Sequence, residues 1–196
     1  NAFEAAVAEG RTCTVPEAAL HGDAYRHAAR VPVAGDPARL PDGWTAARPS
    51  VQSPCHDMLM SRWLDSVALA RIAPAAAVKP LTATFRGSSL YLFGESTPKS
   101  AKFRVWIDGQ AVRRPDAKED AADGDLFDAG ALGRRMGGAV HLSQALAAGL
   151  DPDAEHTLRI EPVAPTGEAV AELRFGSLCV AGPTEAWLAV GPADER

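Results

Sequence analysis

The sequence predicts a mainly β protein, an antiparallel β-sandwich preceded by an irregular, partly helical N-terminal arm. Three observations carry this. From residue 81 onward, short segments alternate apolar and polar residues and end in turn residues, the pattern of half-buried strands. The connectors 86–89 and 94–102 are too short and too broken to hold the helices that a parallel sheet requires. Beyond the arm, one helix candidate stands out, at 143–150.

The arm covers residues 1–43 and the sandwich residues 44–190. Residues 1–9 can form a short helix with Phe3, Ala6 and Val7 on one face. Pro16, Gly22, Pro32, Gly35, Asp36-Pro37 and Pro41-Asp42-Gly43 then prevent long regular elements. The arm has too few large apolar residues to fold alone, and is expected to pack on the main body or to join it to another domain. Residues 58–72 fit helix period and strand alternation equally well. Residues 81–85 alternate and stop at Arg86-Gly87, and 90–93 form a continuous apolar run, as in a strand covered on both faces. Phe103, Val105 and Ile107 alternate with Lys102, Arg104 and Trp106 before Asp108-Gly109 supplies a turn suited to positive φ. Residues 115–125 read as a polar surface loop. Residues 157–161 alternate cleanly again, and 172–180 give a further strand.

Length and composition set limits on function. With 196 residues, 46% hydrophobic and 23% charged, the chain can bury a core without disulfides. A net charge of −5 argues against a general nucleic-acid binder, which must neutralise a phosphate backbone. The basic doublets Arg113–Arg114 and Arg134–Arg135 read as solvated loop charges. No run of about eighteen apolar residues is present to form a membrane-spanning helix. Cys13, Cys55 and Cys179 match no zinc spacing. Cys179, between Leu178 and Val180, reads as a buried inert thiol. Cys13 and Cys55 lie in proline-flanked segments, and in an exported protein they are the candidate disulfide that ties the arm down.

The order F-R-G-S-S-L-Y-L-F-G (85–94), K-F-R-V-W-I-D-G (102–109), L-F-D (126–128), E-H-T-L-R-I (155–160) and L-R-F-G-S-L-C-V-A-G (173–182) resembles a jelly-roll module. Such galactose-binding-like modules are attached to bacterial SGNH/GDSL-type esterases and other carbohydrate-active proteins. The resemblance covers residues 80–182. It implies a jelly-roll-like sandwich next to, or part of, an extracytoplasmic (periplasmic or secreted) hydrolase, and specifies no sugar.

Several residues are candidates for chemistry. Gly94-Glu95-Ser96, at the end of an apolar strand, is similar to the Gly-Asp-Ser nucleophile block of SGNH esterases, and Asp153-Ala-Glu-His156 has that family's Asp-x-x-His spacing. Ser96 would then be the nucleophile, His156 its base and Asp153 the orienting carboxylate. Against this, the family uses an Asn side chain as an oxyanion donor, and Asn1 is the only Asn here. Glu95 also replaces the usual Asp, and His156 opens an alternating strand. His21, His27 and His141 read as surface or structural histidines, and nothing specifies a metal at His56-Asp57. Asp120, Asp123, Asp125 and Asp128 form the densest acidic cluster, a candidate calcium loop whose spacing matches no regular one; its other reading is a solvated acidic loop. The strongest binding signal is aromatic. If Phe103, Val105 and Ile107 face the core, Trp106 points outward between Arg104 and Asp108, as stacking on a sugar ring requires. Cover by the arm or by another domain is the competing reading for that indole.

The function expected from the sequence is a non-catalytic accessory or binding module of an extracytoplasmic carbohydrate-active bacterial protein, with carbohydrate or another domain as partner and no cofactor. An SGNH-type esterase or acyltransferase fragment using Ser96 and His156 is one alternative. A structural or protein-interaction subunit of a cell-surface or periplasmic assembly is the other.

Overall fold

The computed structural model describes residues 5, 7–10, 22–50, 66–73, 77–166 and 169–191. They form two antiparallel six-stranded sheets. The first holds β1 (His27–Pro32), β2 (Trp44–Ala47), β3 (Val67–Ile72), β5 (Ser89–Ser96), β9 (Val140–Ala148) and β11 (Ala171–Gly182). The second holds β4 (Leu81–Arg86), β6 (Lys102–Ile107), β7 (Gln110–Ala111), β8 (Leu126–Asp128), β10 (Glu155–Val163) and β12 (Trp187–Val190). The order in the first is β2-β3-β11-β5-β9, with β1 also paired to β11; in the second it is β12-β4-β10-β6-β7, with β8 also paired to β6. The expected antiparallel sandwich is present.

Alternation places the core between the sheets. Leu90, Leu92, Leu173, Phe175 and Leu178 point inward from the first sheet, and Leu81, Phe85, Phe103, Val105, Leu158 and Ile160 from the second, all buried. Phe103 joins the layers, stacked on Phe127 and edge-on to Phe175, each with centroids 5.3 Å apart. Trp44 packs on Phe175, and its indole N–H donates to the Lys79 carbonyl at 2.9 Å, so its polar atom is satisfied.

Two expectations are corrected and one ambiguity is resolved. Residues 143–150 are not a helix, because Val140–Ala148 pairs with β5 through eight register partners. The inward-facing apolar residues Leu142 and Leu146 stand four apart because Gln144 lies between them opposite Leu92, and that spacing imitates a helix. Strand pairing then overrides the helix propensity of the Ala-rich sequence. The helix is instead α1 (Ala131–Met136), six residues ending at Gly137 with φ +69°. The arm, where described, is not generally helical: it holds the strand His27–Pro32 and a 3-10 turn at Pro37–Arg39, while near residue 9 one turn closes from the Glu9 N–H to the Ala5 carbonyl at 2.9 Å. Of the ambiguous 58–72 segment, Val67–Ile72 is strand, and 58–65 lie outside the described residues.

Candidate functional site

The site is built on the outer face of the second sheet. Phe103, Val105 and Ile107 are buried and Trp106 is half-buried on the opposite face, the register that the alternation predicts. Its cross-strand neighbours are Arg159 on β10 and Ala111 on β7. The Arg159 guanidinium lies 4.6 Å from the ring centroid in a cation–π contact and is also bonded to Glu161 at 2.6 Å. Thr82, Thr84 and Thr157 form the floor of a shallow groove of about 380 Å³, with Trp106 and Arg159 as walls. Among the described residues the arm contributes nothing to its lining. Arg104, two residues back on the same face, pairs with Asp125 at 2.8 Å.

Asp108 does not present its carboxylate to this groove. It opens the two-residue turn at φ +53°, the only non-glycine residue with positive φ among those described. One carboxylate oxygen accepts the Thr157 N–H at 2.7 Å and the Thr157 hydroxyl at 3.2 Å. The other lies 2.7 Å from Nδ1 of His156. Nε2 of His156 faces the Asp151 carbonyl at 2.8 Å. Both ring nitrogens therefore meet acceptors, which only the doubly protonated imidazolium satisfies. Burial by itself would lower the His156 pKa, but the Asp108 and Asp151 bonds and the Asp108 charge outweigh it and the net shift is upward. Burial would raise the Asp108 pKa; the His156 and Thr157 bonds reverse this and hold it below its usual value. The group is a latch that fixes the turn after Trp106 to β10.

Ser96 and His156 are not brought together. His156 is anchored beside Asp151, and the adjoining Leu150 bonds to Ser88, just before β5; Ser96 ends that strand. Eight strand residues at about 3.4 Å each put the two ends more than roughly 20 Å apart. The Ser96 hydroxyl is fully buried and accepts the Gly133 N–H at 2.9 Å. Asp153 sits in a turn, its N–H bonded to the Asp151 carboxylate at 3.0 Å. The Gly-Glu-Ser sequence has a packing explanation residue by residue. A Cβ at Gly94 would run into the Arg174 carbonyl, where β11 bulges between Phe175 and Ser177. Glu95, buried, accepts Arg174 Nε at 2.5 Å and the Ser50 N–H at 2.7 Å. Ser96 caps the N–H of Gly133, where any Cβ would overlap the Ser96–Thr97 backbone.

In the acidic loop, Asp125 pairs with Arg104 and Asp128 with Arg134 at 2.5 Å. Nη2 of Arg113 donates to the Lys118, Glu119 and Ala121 carbonyls at 2.9, 2.9 and 3.2 Å, drawing the loop around one guanidinium. Asp120 and Asp123 are exposed, and among the described residues no group of three or more His, Cys, Asp or Glu side chains is placed to hold a metal ion. His27 is exposed on β1, and His141 lies opposite Glu95 on β9. Cys179 is half-buried and free; burial pushes its thiol pKa up against the lowering effect of Arg30. Cys13, Cys55, His21, His56 and Asp57 lie outside the described residues. Arg159, Thr82 and Thr84 join the site without a sequence signal of their own, since only the pairing of β4, β10 and β6 puts them beside Trp106.

No family model matches the chain, and no curated protein matches it. Among solved structures, the chain is similar to an acetyl xylan esterase from the rumen bacterium Butyrivibrio proteoclasticus, with 8% identity and a TM-score of 0.39 over 86% of this chain. The chain spans 35% of the length of that esterase.

Proposed function

We propose that this chain is a carbohydrate-binding accessory module of an extracytoplasmic carbohydrate-active protein, and that the Trp106 groove is its sugar site. The observation that carries the reading is the outward indole, set by β6 register and steadied by Arg159, beside a floor of three threonines. A pyranose has an apolar ring face and a polar rim. The indole suits the first, and the threonine hydroxyls with the arginine suit the second. Binding is assigned to this face, and no bond-breaking step is assigned to Ser96, whose hydroxyl is buried against Gly133.

The test is titration of gluco-, xylo- and galacto-oligosaccharides, followed by tryptophan fluorescence and calorimetry. A response is expected from the native chain and not from Trp106→Ala, whose thermal midpoint should stay close to native because the indole is on the outer face. Absence of any heat or spectral change across the panel would overturn the reading, as would binding that Trp106→Ala leaves intact.

A further inference from the structure

The Trp106 groove is one part of a longer trough. Register sets Arg159 opposite both Trp106 and Thr82, and the Gly191 N–H bonds to the Thr82 carbonyl at 2.9 Å. The row thus runs across β6, β10 and β4 to the residue that follows β12. At about 4.8 Å per strand it is roughly 14 Å long. At its far end lies a second groove of about 340 Å³, and Thr82 and Gly191 line both. The other walls of the second groove come from the arm, through Arg39, Leu40 and Asp42, and from Lys79 just before β4.

Arg39 stands at the junction. A Cβ on Gly191 would lie 3.2 Å from Nε of Arg39 and 3.4 Å from its Nη2, so the guanidinium lies over the α-carbon of a residue that both grooves share. Glycine is required there twice, for that close approach and for its φ of +120°. Arg104 and Arg159 each have a carboxylate partner, whereas the Arg39 guanidinium forms no ion pair among the described residues. Its donors remain for a ligand. Lys79 and Asp42, bonded at 2.6 Å, add a cation and an acceptor to the same groove. The backbone beneath is held independently. The Asp36 carboxylate accepts the Ala38 N–H at 3.0 Å, the Lys79 N–H donates to the Asp42 carbonyl at 3.0 Å, and the Lys79 carbonyl accepts the Trp44 indole. A groove built this way is formed before any ligand arrives, which lowers the cost of binding.

We infer that the two grooves form one trough for a linear oligosaccharide, with one unit on Trp106 and the following units carried over Thr82 and Gly191 to Arg39, Asp42 and Lys79. The inference rests on the Trp106 reading and adds to it the length of the ligand and a binding role for the arm. Sugar hydroxyls both donate and accept, and two cations beside a carboxylate offer both kinds of partner. The row from Trp106 to Gly191 is longer than a single pyranose ring. A monosaccharide on the indole would leave Arg39 unused; a chain of several units reaches it.

Calorimetric titration of the full chain with two-unit and six-unit gluco-, xylo- and galacto-oligosaccharides tests it. In the series that binds, the six-unit chain should bind roughly tenfold or more tightly than the two-unit one. Arg39→Gln should remove most of that advantage, leaving the few-fold gain that a longer chain has from offering more registers. Arg39 is exposed, so this variant keeps the fold, and an unchanged thermal midpoint checks that. Equal affinity for the two lengths would overturn the inference and leave the Trp106 site standing. So would a six-unit advantage that Arg39→Gln leaves intact. Binding of neither length in any series would overturn the Trp106 reading, and this inference with it.

Discussion

Raising the pH through neutrality should loosen the Asp108–His156 latch, and the structure fixes both sign and scale. The His156 pKa is raised in the folded chain, so its contribution is complete below the unfolded value of 6.5 and fades as pH rises through the higher folded value. The Asp108 pKa is lowered, so its contribution is complete above 3.8 and fades in acid. The latch is therefore strongest between these two values. Breaking a fully buried pair costs about 3–5 kcal/mol, and an exposed pair is worth about 0–1 kcal/mol. The His156 side chain is 7% exposed and that of Asp108 47%, so water screens half the pair and about 1–2 kcal/mol is the reasonable estimate. For a chain of this size that corresponds to roughly 2–8 °C in thermal midpoint. The assay is thermal or urea unfolding of the native chain and of His156→Gln between about pH 5.5 and 9. The stability gap should be widest at the acid end of that range and narrow at the alkaline end, the difference cancelling histidines common to both proteins. A gap of constant size across the range would refute the imidazolium assignment.

Two further substitutions probe the Gly-Glu-Ser segment. Gly94→Ala puts a methyl group into the Arg174 carbonyl at the β11 bulge and should cost about 2–4 kcal/mol in urea unfolding; an unchanged midpoint would show that the bulge is misplaced. Ser96→Ala strands the buried Gly133 N–H and should cost about 1–3 kcal/mol, without changing any rate measured on an activated acyl ester. Ester turnover that vanishes in Ser96→Ala would instead identify Ser96 as a nucleophile.

Much of the second sheet was legible because its strands are half-buried. In β6 a one-residue slip would bury Lys102 and Arg104 in place of Phe103 and Val105, so the side of Trp106 follows from composition alone. The same logic marked residues 157–161 as strand and 108–109 as turn. Local sequence could not show what joins them. Asp108 and His156 are 48 positions apart, and their bond exists because β6 and β10 are neighbours. His156 therefore read as the base of a serine when it is the partner of a turn. β9 imitates a helix because an edge strand carrying a Gln on its inner side loses its alternation. α1 escaped because six residues with no side-chain cap at Gly130 give almost no periodicity to detect.

The twelve-residue strand β11 has a consequence for how the molecule is made. β1, β3 and β5 all pair with it, and His27 meets Gly182 across roughly 150 residues of chain. During synthesis at about 5–20 residues per second, β1 leaves the ribosome roughly 8–30 s before its partner exists. Once made, Leu90 and Leu92 on β5 wait about half that interval for the strand that completes their sheet, and loop closure over such a span is slow. Folding of the first sheet is thus gated by arrival of its last strand. A chain stopped short of residue 171 exposes apolar edges for as long as it survives, making it a substrate for chaperones and proteases.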